Sequence, residues 1–345
     1  MRYSADNDFN KAKAFLKYFF HFVISFLFCF IWPPGFSPAY FFEAKILEEV
    51  MIICYHIDIH FSEVRNIRIV VLSENTAAND KLFAEHGLCL YIEHNDKRIL
   101  FGCGASALYL ENAKRLNVPV ESVNAVVLSH NHTSVCGGVE VLIKKNPSAT
   151  IFIRRDYATD CAEQNGIFRS RTGLPSSFFK ANKLKCVLFT AFSEVCKDFY
   201  IASVKQYEKA HSTDKSYYVK KDRKWVKDDF SAETFAVCFP GRRKDGFILL
   251  TSCSHSGITN IVKTACEMWN APVIAVIGGF NMMGGNINKT SCSADEIKHT
   301  ATELSKMDIG YIYTCHCTGR KSYEMLKETL GEQIQYLHTG EELKF

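Results

Sequence analysis

The stretch Val126-Val127-Leu128-Ser129-His130-Asn131-His132-Thr133-Ser134-Val135-Cys136-Gly137-Gly138 constrains the fold more than any other part of the chain. A short apolar run of strand type ends in two histidines at i and i+2, and the loop closes on paired glycines. Alternate residues of an extended backbone point the same way, so His130 and His132 present their imidazoles together, as a metal site needs.

Around this loop the text alternates. From about Ile67, an apolar run to Leu72 precedes a hairpin of Leu88–Glu93 and Arg98–Phe101. A helix is expected over Ala105–Leu116, the buried strand Ala125–Ser129 leads into the histidines, and Gly138–Lys145 reads as helix before a strand at Thr150–Ile153. The second half repeats the style. Strands are expected at Phe235–Phe239, Phe247–Thr251, Val273–Ile277 and Tyr311–Thr314, with helices at Ile258–Glu267, Ser293–Met307 and Lys321–Leu330. Two such halves predict an α/β (α+β) protein in which two sheets pack face to face with helices outside. The 345 residues, 47% hydrophobic and 23% charged, supply enough chain for a large core. The net charge of +4 is too small to argue for nucleic acid, and no zinc-finger spacing or repeat accompanies it.

Residues 205–227 interrupt the pattern with Lys209, Lys215, Lys220, Lys221, Arg223, Lys224 and Lys227. A solvated surface excursion is the preferred reading. A hairpin of Tyr217-Tyr218-Val219 and Trp225-Val226 about Asp222-Arg223, acting as a lid for an anionic ligand, is the functional one.

Residues 1–66 read as an N-terminal extension. Lys11, Lys13 and Lys17 precede an apolar segment over 18–32, then Pro33-Pro34-Gly35, the pattern of a signal peptide or short anchor. The alternative is an upstream extension without function, with Met51 just before the main domain. The 14 cysteines lie singly, without the spacing of a disulfide framework, which favours a reducing, cytoplasmic setting for the domain. Membrane contact is expected only through the N-terminal segment, so the two signals conflict.

The 126–138 loop resembles the strand-end loop of the metallo-β-lactamase superfamily, which reads H-x-H-x-D-H followed by G-G. Further segments resemble the branch related to the archaeal synthase that joins a dihydropterin to a ribofuranosyl-aminobenzene phosphate. They are Ser73-Glu74-Asn75-Thr76-Ala77, Ala84-Glu85-His86-Gly87-Leu88, Phe101-Gly102-Cys103-Gly104, Ser252-Cys253-Ser254-His255-Ser256-Gly257-Ile258, Ile277-Gly278-Gly279-Phe280-Asn281, His316-Cys317-Thr318-Gly319 and His338-Thr339-Gly340. The resemblance covers roughly residues 67–345 and implies a four-layer αβ/βα sandwich of two mixed sheets.

It also implies that His130, His132 and His255 hold one metal, zinc with iron or manganese as alternatives. Of the second metal's ligands only His316 remains, because Ser134 and Val135 stand where the superfamily has aspartate and histidine. Gly102 and Asn281 replace a further aspartate and histidine. The expectation is therefore at most one metal per chain, with His316 contacting substrate or acting as an acid. Cys136, one residue past the lost histidine, is a candidate substitute ligand. Buried, inert thiol is nevertheless the preferred reading for Cys136 as for Cys103, Cys253, Cys315 and Cys317, since the family already has cysteine at 253 and 317 without ligation. The implied activity is transferase-like, on a small anionic or phosphorylated molecule held by Arg154, Arg155 or the lid lysines. A non-catalytic binding protein and a mononuclear hydrolase of phosphates or esters are the alternatives, and the missing aspartate weakens the hydrolase.

Overall fold

The computed structural model describes residues 67–208 and 216–345. The N-terminal apolar segment and Lys209 to Lys215 lie outside those residues. No helix among the described residues is long and apolar enough to cross a membrane.

The first sheet holds β1 (Arg68–Ser73), β2 (Cys89–His94), β3 (Lys97–Phe101), β4 (Ala125–Leu128), β5 (Thr150–Arg154), β8 (Cys186–Phe189) and β18 (Glu342–Lys344), in the order β18-β1-β2-β3-β4-β5-β8. The second holds β9 (Phe192–Cys196), β10 (Phe199–Ser203), β13 (Thr234–Cys238), β14 (Phe247–Leu250), β15 (Val273–Gly278), β16 (Ile309–Thr314) and β17 (Ile334–Tyr336), in the order β17-β16-β15-β14-β13-β10-β9. Each sheet is mixed. Strands β1 to β3 and β18 pair antiparallel, whereas β3, β4, β5 and β8 run parallel. In the second sheet β14 to β17 are parallel and β9, β10, β13 and β14 antiparallel.

Side chains alternate along each strand, so a strand covered on both faces reads as a nearly continuous apolar run. In β1, Ile69 and Val71 join Leu90, Ile92, Phe101 and Val127 in a core shared with Ile201, Ile248, Leu250 and Ile277 of the second sheet. Val70 and Leu72 face the other way, into a core with Ala113 of α1 (Leu108–Arg115) and Val139 and Leu142 of α3 (Val139–Lys145). The second sheet's outer face is covered by α5 (Ile258–Trp269), α6 (Ala294–Ser305) and α7 (Arg320–Leu330) through Ile261, Ile297, Leu304 and Leu326. The expected four-layer sandwich of two mixed sheets is thus present.

Most expected elements form within a few residues of their expected ends. The helix expected from Ala105 starts only at Leu108, because the Glu85 carboxylate accepts the Ala105 and Ser106 N–H groups at 3.1 and 3.2 Å and holds them outside the helix. The 205–227 region is less of an excursion than expected. A hairpin of β11 (Tyr217–Lys221) and β12 (Lys224–Lys227) turns at Asp222 and Arg223, both left-handed (φ 48° and 65°), as a tight two-residue turn requires. It joins β6 (Cys161–Asn165) and β7 (Phe168–Thr172) in a third sheet, ordered β12-β11-β6-β7. The short helices α2 (Thr133–Cys136) and α4 (Ser176–Ala181) complete the described elements.

Candidate metal centre

The site lies where parallel strands end, the usual position for ligands in sheets of this kind. Strand β4 delivers His130 and His132, β14 is followed by His255, and β16 by His316. The paired glycines close the first loop for a steric reason. A Cβ on Gly137 would lie 2.0 Å from the Ala105 carbonyl oxygen, and one on Gly138 would lie 2.4 Å from that of Cys103. Asn131, between the two histidines, pins the loop: its amide donates to the Thr159 and Leu174 carbonyls at 2.9 and 2.8 Å and accepts from Leu174 N at 2.8 Å.

The three imidazoles converge. Ring centres of His130, His132 and His255 are 4.5, 4.9 and 5.0 Å apart pairwise, and all three residues are buried. His130 Nδ1 is 2.8 Å from Ser129 Oγ, while its Nε2 is buried without a hydrogen-bond partner. An orphaned buried nitrogen costs on the order of 1–3 kcal/mol unless something satisfies it. Burial first, then the neighbouring imidazoles, push His130 well below the ordinary histidine range, so it stands neutral with a lone pair available. The unsatisfied His130 nitrogen, with the ligand atoms of His255 and Cys253 within 4.8 Å, fits a divalent metal.

His255 is held from behind by Glu233. This fully buried carboxylate accepts from His255 N at 3.0 Å and from Ser256 N at 2.7 Å. Tyr217, at the start of β11, stacks on His132 with ring centres 4.1 Å apart, and Phe230 stacks on His255 at 4.4 Å. The third sheet therefore lays an aromatic cover over the histidines.

His316 belongs to an adjacent group. Its Nε2 lies 3.4 Å from Cys253 Sγ, its ring stacks on His86 at 4.8 Å, and its Nδ1 is 3.3 Å from Asn75 Oδ1. Burial first, then His86 and His255, push its pKa well down. The Ser73–Ala77 segment clamps this loop: Glu74 accepts from His316 N at 2.8 Å, and Asn75 donates to the His316 carbonyl at 2.9 Å. Ser254, Asn281 and His316 are all left-handed (φ 57°, 55° and 50°), so three successive strand ends each carry a strained non-glycine residue here.

Two sets of ligand atoms lie within 4.8 Å of one another, namely His130, Cys253 and His255, and Cys253, His316 and Cys317. Neither set includes His132, whose ring lies beside the first, and Cys136 is in neither. The Cys136 thiol donates to Asn131 Oδ1 and to the His132 carbonyl, and burial pushes its pKa up to about 12, so it is a structural thiol rather than the candidate substitute ligand. Where the resemblance has further ligands, Val135 is fully buried in the apolar core. A Cβ on Gly102 would sit 3.6 Å from Val135 Cγ1 and 2.4 Å from the Leu88 carbonyl oxygen, so this space is filled by backbone and methyl groups.

A metal-dependent hydrolase of the β-lactamase superfamily, Tm1679, superposes with a TM-score of 0.66 at 23% identity, covering 81% of this chain and 99% of that one. The chain has the metallo-β-lactamase fold. YhfI of Bacillus subtilis, a metallo-β-lactamase fold protein, superposes with a TM-score of 0.50 at 14% identity, over 81% of this chain and all of that one. Two proteins of Methanocaldococcus jannaschii are similar in sequence. One is the 7,8-dihydropterin-6-methyl-4-(β-D-ribofuranosyl)-aminobenzene-5'-phosphate synthase, 28% identical over 314 residues, covering 83% of this chain and 99% of the synthase. The other is the uncharacterized protein MJ0448, 28% identical over 275 residues, covering 79% and 98%. No protein-family model matches the chain. Within this metallo-β-lactamase fold, Glu233, Tyr217 and Phe230 are site residues that motif reading missed. The only signal for Glu233 is an isolated acid at the mouth of a buried strand.

Of the residues expected to bind phosphate, Arg154 is tied to the Ser231 carbonyl and to Asp156, and Lys220 approaches Asp160 at 3.5 Å. Arg155, Lys224 and Lys227 are exposed. A pocket of about 100 Å³ opens beside His255, lined by Ser254, Asn281, Met282, His299 and Glu208. That is smaller than the roughly 300–1,000 Å³ usual for small-molecule sites.

Proposed function

We propose that the chain is a metal-dependent, transferase-like protein whose His130, His132 and His255 hold one divalent ion, zinc for preference. The observation that carries this is the buried, partnerless Nε2 of a neutral His130 facing two further imidazoles. Such an ion would supply Lewis-acid polarisation of a substrate oxygen. The protein's own residues do the rest: Glu233 and Asn131 fix the loops that carry the histidines, and Tyr217 and Phe230 exclude water above them. His316, neutral and held by Asn75, is placed to contact the substrate.

The likeness to the pterin synthase over most of both chains suggests the substrate class, an anionic, phosphorylated partner joined to a pterin. Exposed Arg155, Lys224 and Lys227 are the candidates for its phosphate. The mononuclear hydrolase is less favoured, because Ser134 offers no carboxylate to take a proton from attacking water. A non-catalytic binder is the second reading, supported by the small pocket.

Metal analysis of the full chain tests the first step. We expect at least one equivalent, and one equivalent fewer in His132→Ala; less than about a tenth of an equivalent in wild type, unrestored by added zinc, overturns the reading. Incubation with a dihydropterin donor and ribofuranosyl-aminobenzene 5'-phosphate then tests the second. A joined product that fails to form with wild type but with metal bound favours the binding protein.

A further inference from the structure

Two buried thiols lie beside His316. Cys253 Sγ and His316 Nε2 are 3.4 Å apart. Two ligands of a tetrahedral ion, at roughly 2.3 Å for sulfur and 2.0–2.1 Å for nitrogen, stand about 3.6 Å apart. Cys317 Sγ completes a set whose three atoms all fall within 4.8 Å of one another. Cys317 Sγ accepts from Asn281 N at 3.2 Å and donates to the Cys253 carbonyl at 3.2 Å, so both neighbours hold it in place. All three residues are buried, and the loops that carry them are fixed by Glu74, Asn75 and the left-handed turns at Ser254, Asn281 and His316.

We propose that Cys253, His316 and Cys317 form a second, thiolate-rich metal site that replaces the lost carboxylate and histidine ligands, with Cys253 shared between it and the histidine site. Cys253 also lies within 4.8 Å of the ligand atoms of His130 and His255. A bridging thiolate is thus the natural link between two neighbouring ions. Soft donors of this kind select zinc or another thiophilic dication over magnesium or calcium. Each thiol loses its proton to solvent as the ion binds, so the two sulfur charges balance the dication and uptake releases acid. The Cys136 thiol, bonded to Asn131 and the His132 carbonyl, takes no part. The inference rests on the histidine-site reading only for the shared position of Cys253.

Titration of the metal-free full chain with cobalt(II) tests it, with near-ultraviolet sulfur-to-metal absorption and bound metal both measured. Wild type should take up two equivalents and show thiolate absorption. Cys317→Ser should fall to one equivalent and lose most of that absorption, Cys136→Ser should change neither, and His132→Ala should keep one equivalent with thiolate absorption. A single equivalent in wild type without thiolate absorption overturns the proposal and leaves Cys253 and His316 as a hydrogen-bonded pair. Absorption that survives Cys317→Ser but vanishes in Cys253→Ser also overturns it, making Cys253 a fourth ligand of the histidine site. Failure of the histidine-site reading looks different, as no loss of metal in His132→Ala. The wild-type titration decides the matter even if a serine variant does not fold.

Discussion

The two halves of the site are built differently. Around His130, His132 and His255 the polar supports are complete: Ser129 meets a ring nitrogen, Asn131 pins the loop, and a buried Glu233 accepts two backbone N–H groups. Around Gly102 the surroundings are apolar, with the fully buried Val135 filling the space beside it. A missing ligand would leave a hole or an unpaired charge. Here the volume beside Gly102 is packed, and sulfur and His316 are among the polar groups nearby.

The sharpest way to break that contrast is to reverse it. Val135→His places an imidazole in a packed apolar core, where overpacking costs about 1–3 kcal/mol and a buried unpaired nitrogen about as much again. The expected loss is about 4 kcal/mol by denaturant unfolding. A stable Val135→His variant would mean that the second site is merely vacant.

Glu233→Ala probes the half that kept its ligands. Two buried N–H groups would lose their acceptor, for about 3 kcal/mol of stability, and His255 would lose its orientation. Metal affinity should drop 10–100-fold, the usual effect of removing a support behind a ligand. Glu233→Gln, which keeps one acceptor oxygen, should recover part of both in a competition titration with a chelator. Equal affinity in all three proteins would show that the His255 loop is rigid without this carboxylate.

The sandwich was legible because β1, β4, β14 and β15 are apolar runs of the length buried strands have, and because α5 to α7 carry periodic faces. The pairing of His130 with His132 was legible for a similar reason: i, i+2 spacing at a strand end is a local signal. The third sheet was not. In the sequence its β11–β12 hairpin is only the less favoured reading of residues 205–227, and β7, polar and mostly exposed, does not stand out from loop. Glu233 and Tyr217 act on histidines that lie far along the chain, His255 and His132, and no spacing rule connects them. The thiols misled in the reverse sense. Cys136 sits one residue from a ligand position and turns away, whereas Cys253 and Cys317 are 64 residues apart, yet Cys317 Sγ lies 3.2 Å from the Cys253 carbonyl.

Tyr217→Ala tests whether the cover belongs to the histidine half at all. Stacked rings contribute about 0.5–1.5 kcal/mol beyond the area they bury, so the fold should lose only about 1 kcal/mol. The larger effect should be kinetic. With the ring gone from above His132, water and chelators reach the site directly, and metal release should accelerate while equilibrium stoichiometry stays unchanged. Tyr217→Phe keeps the stacked ring and should release metal at the wild-type rate. If Tyr217→Ala releases metal no faster than wild type, the third sheet shields something other than the three histidines, and the β11–β12 hairpin is not a lid.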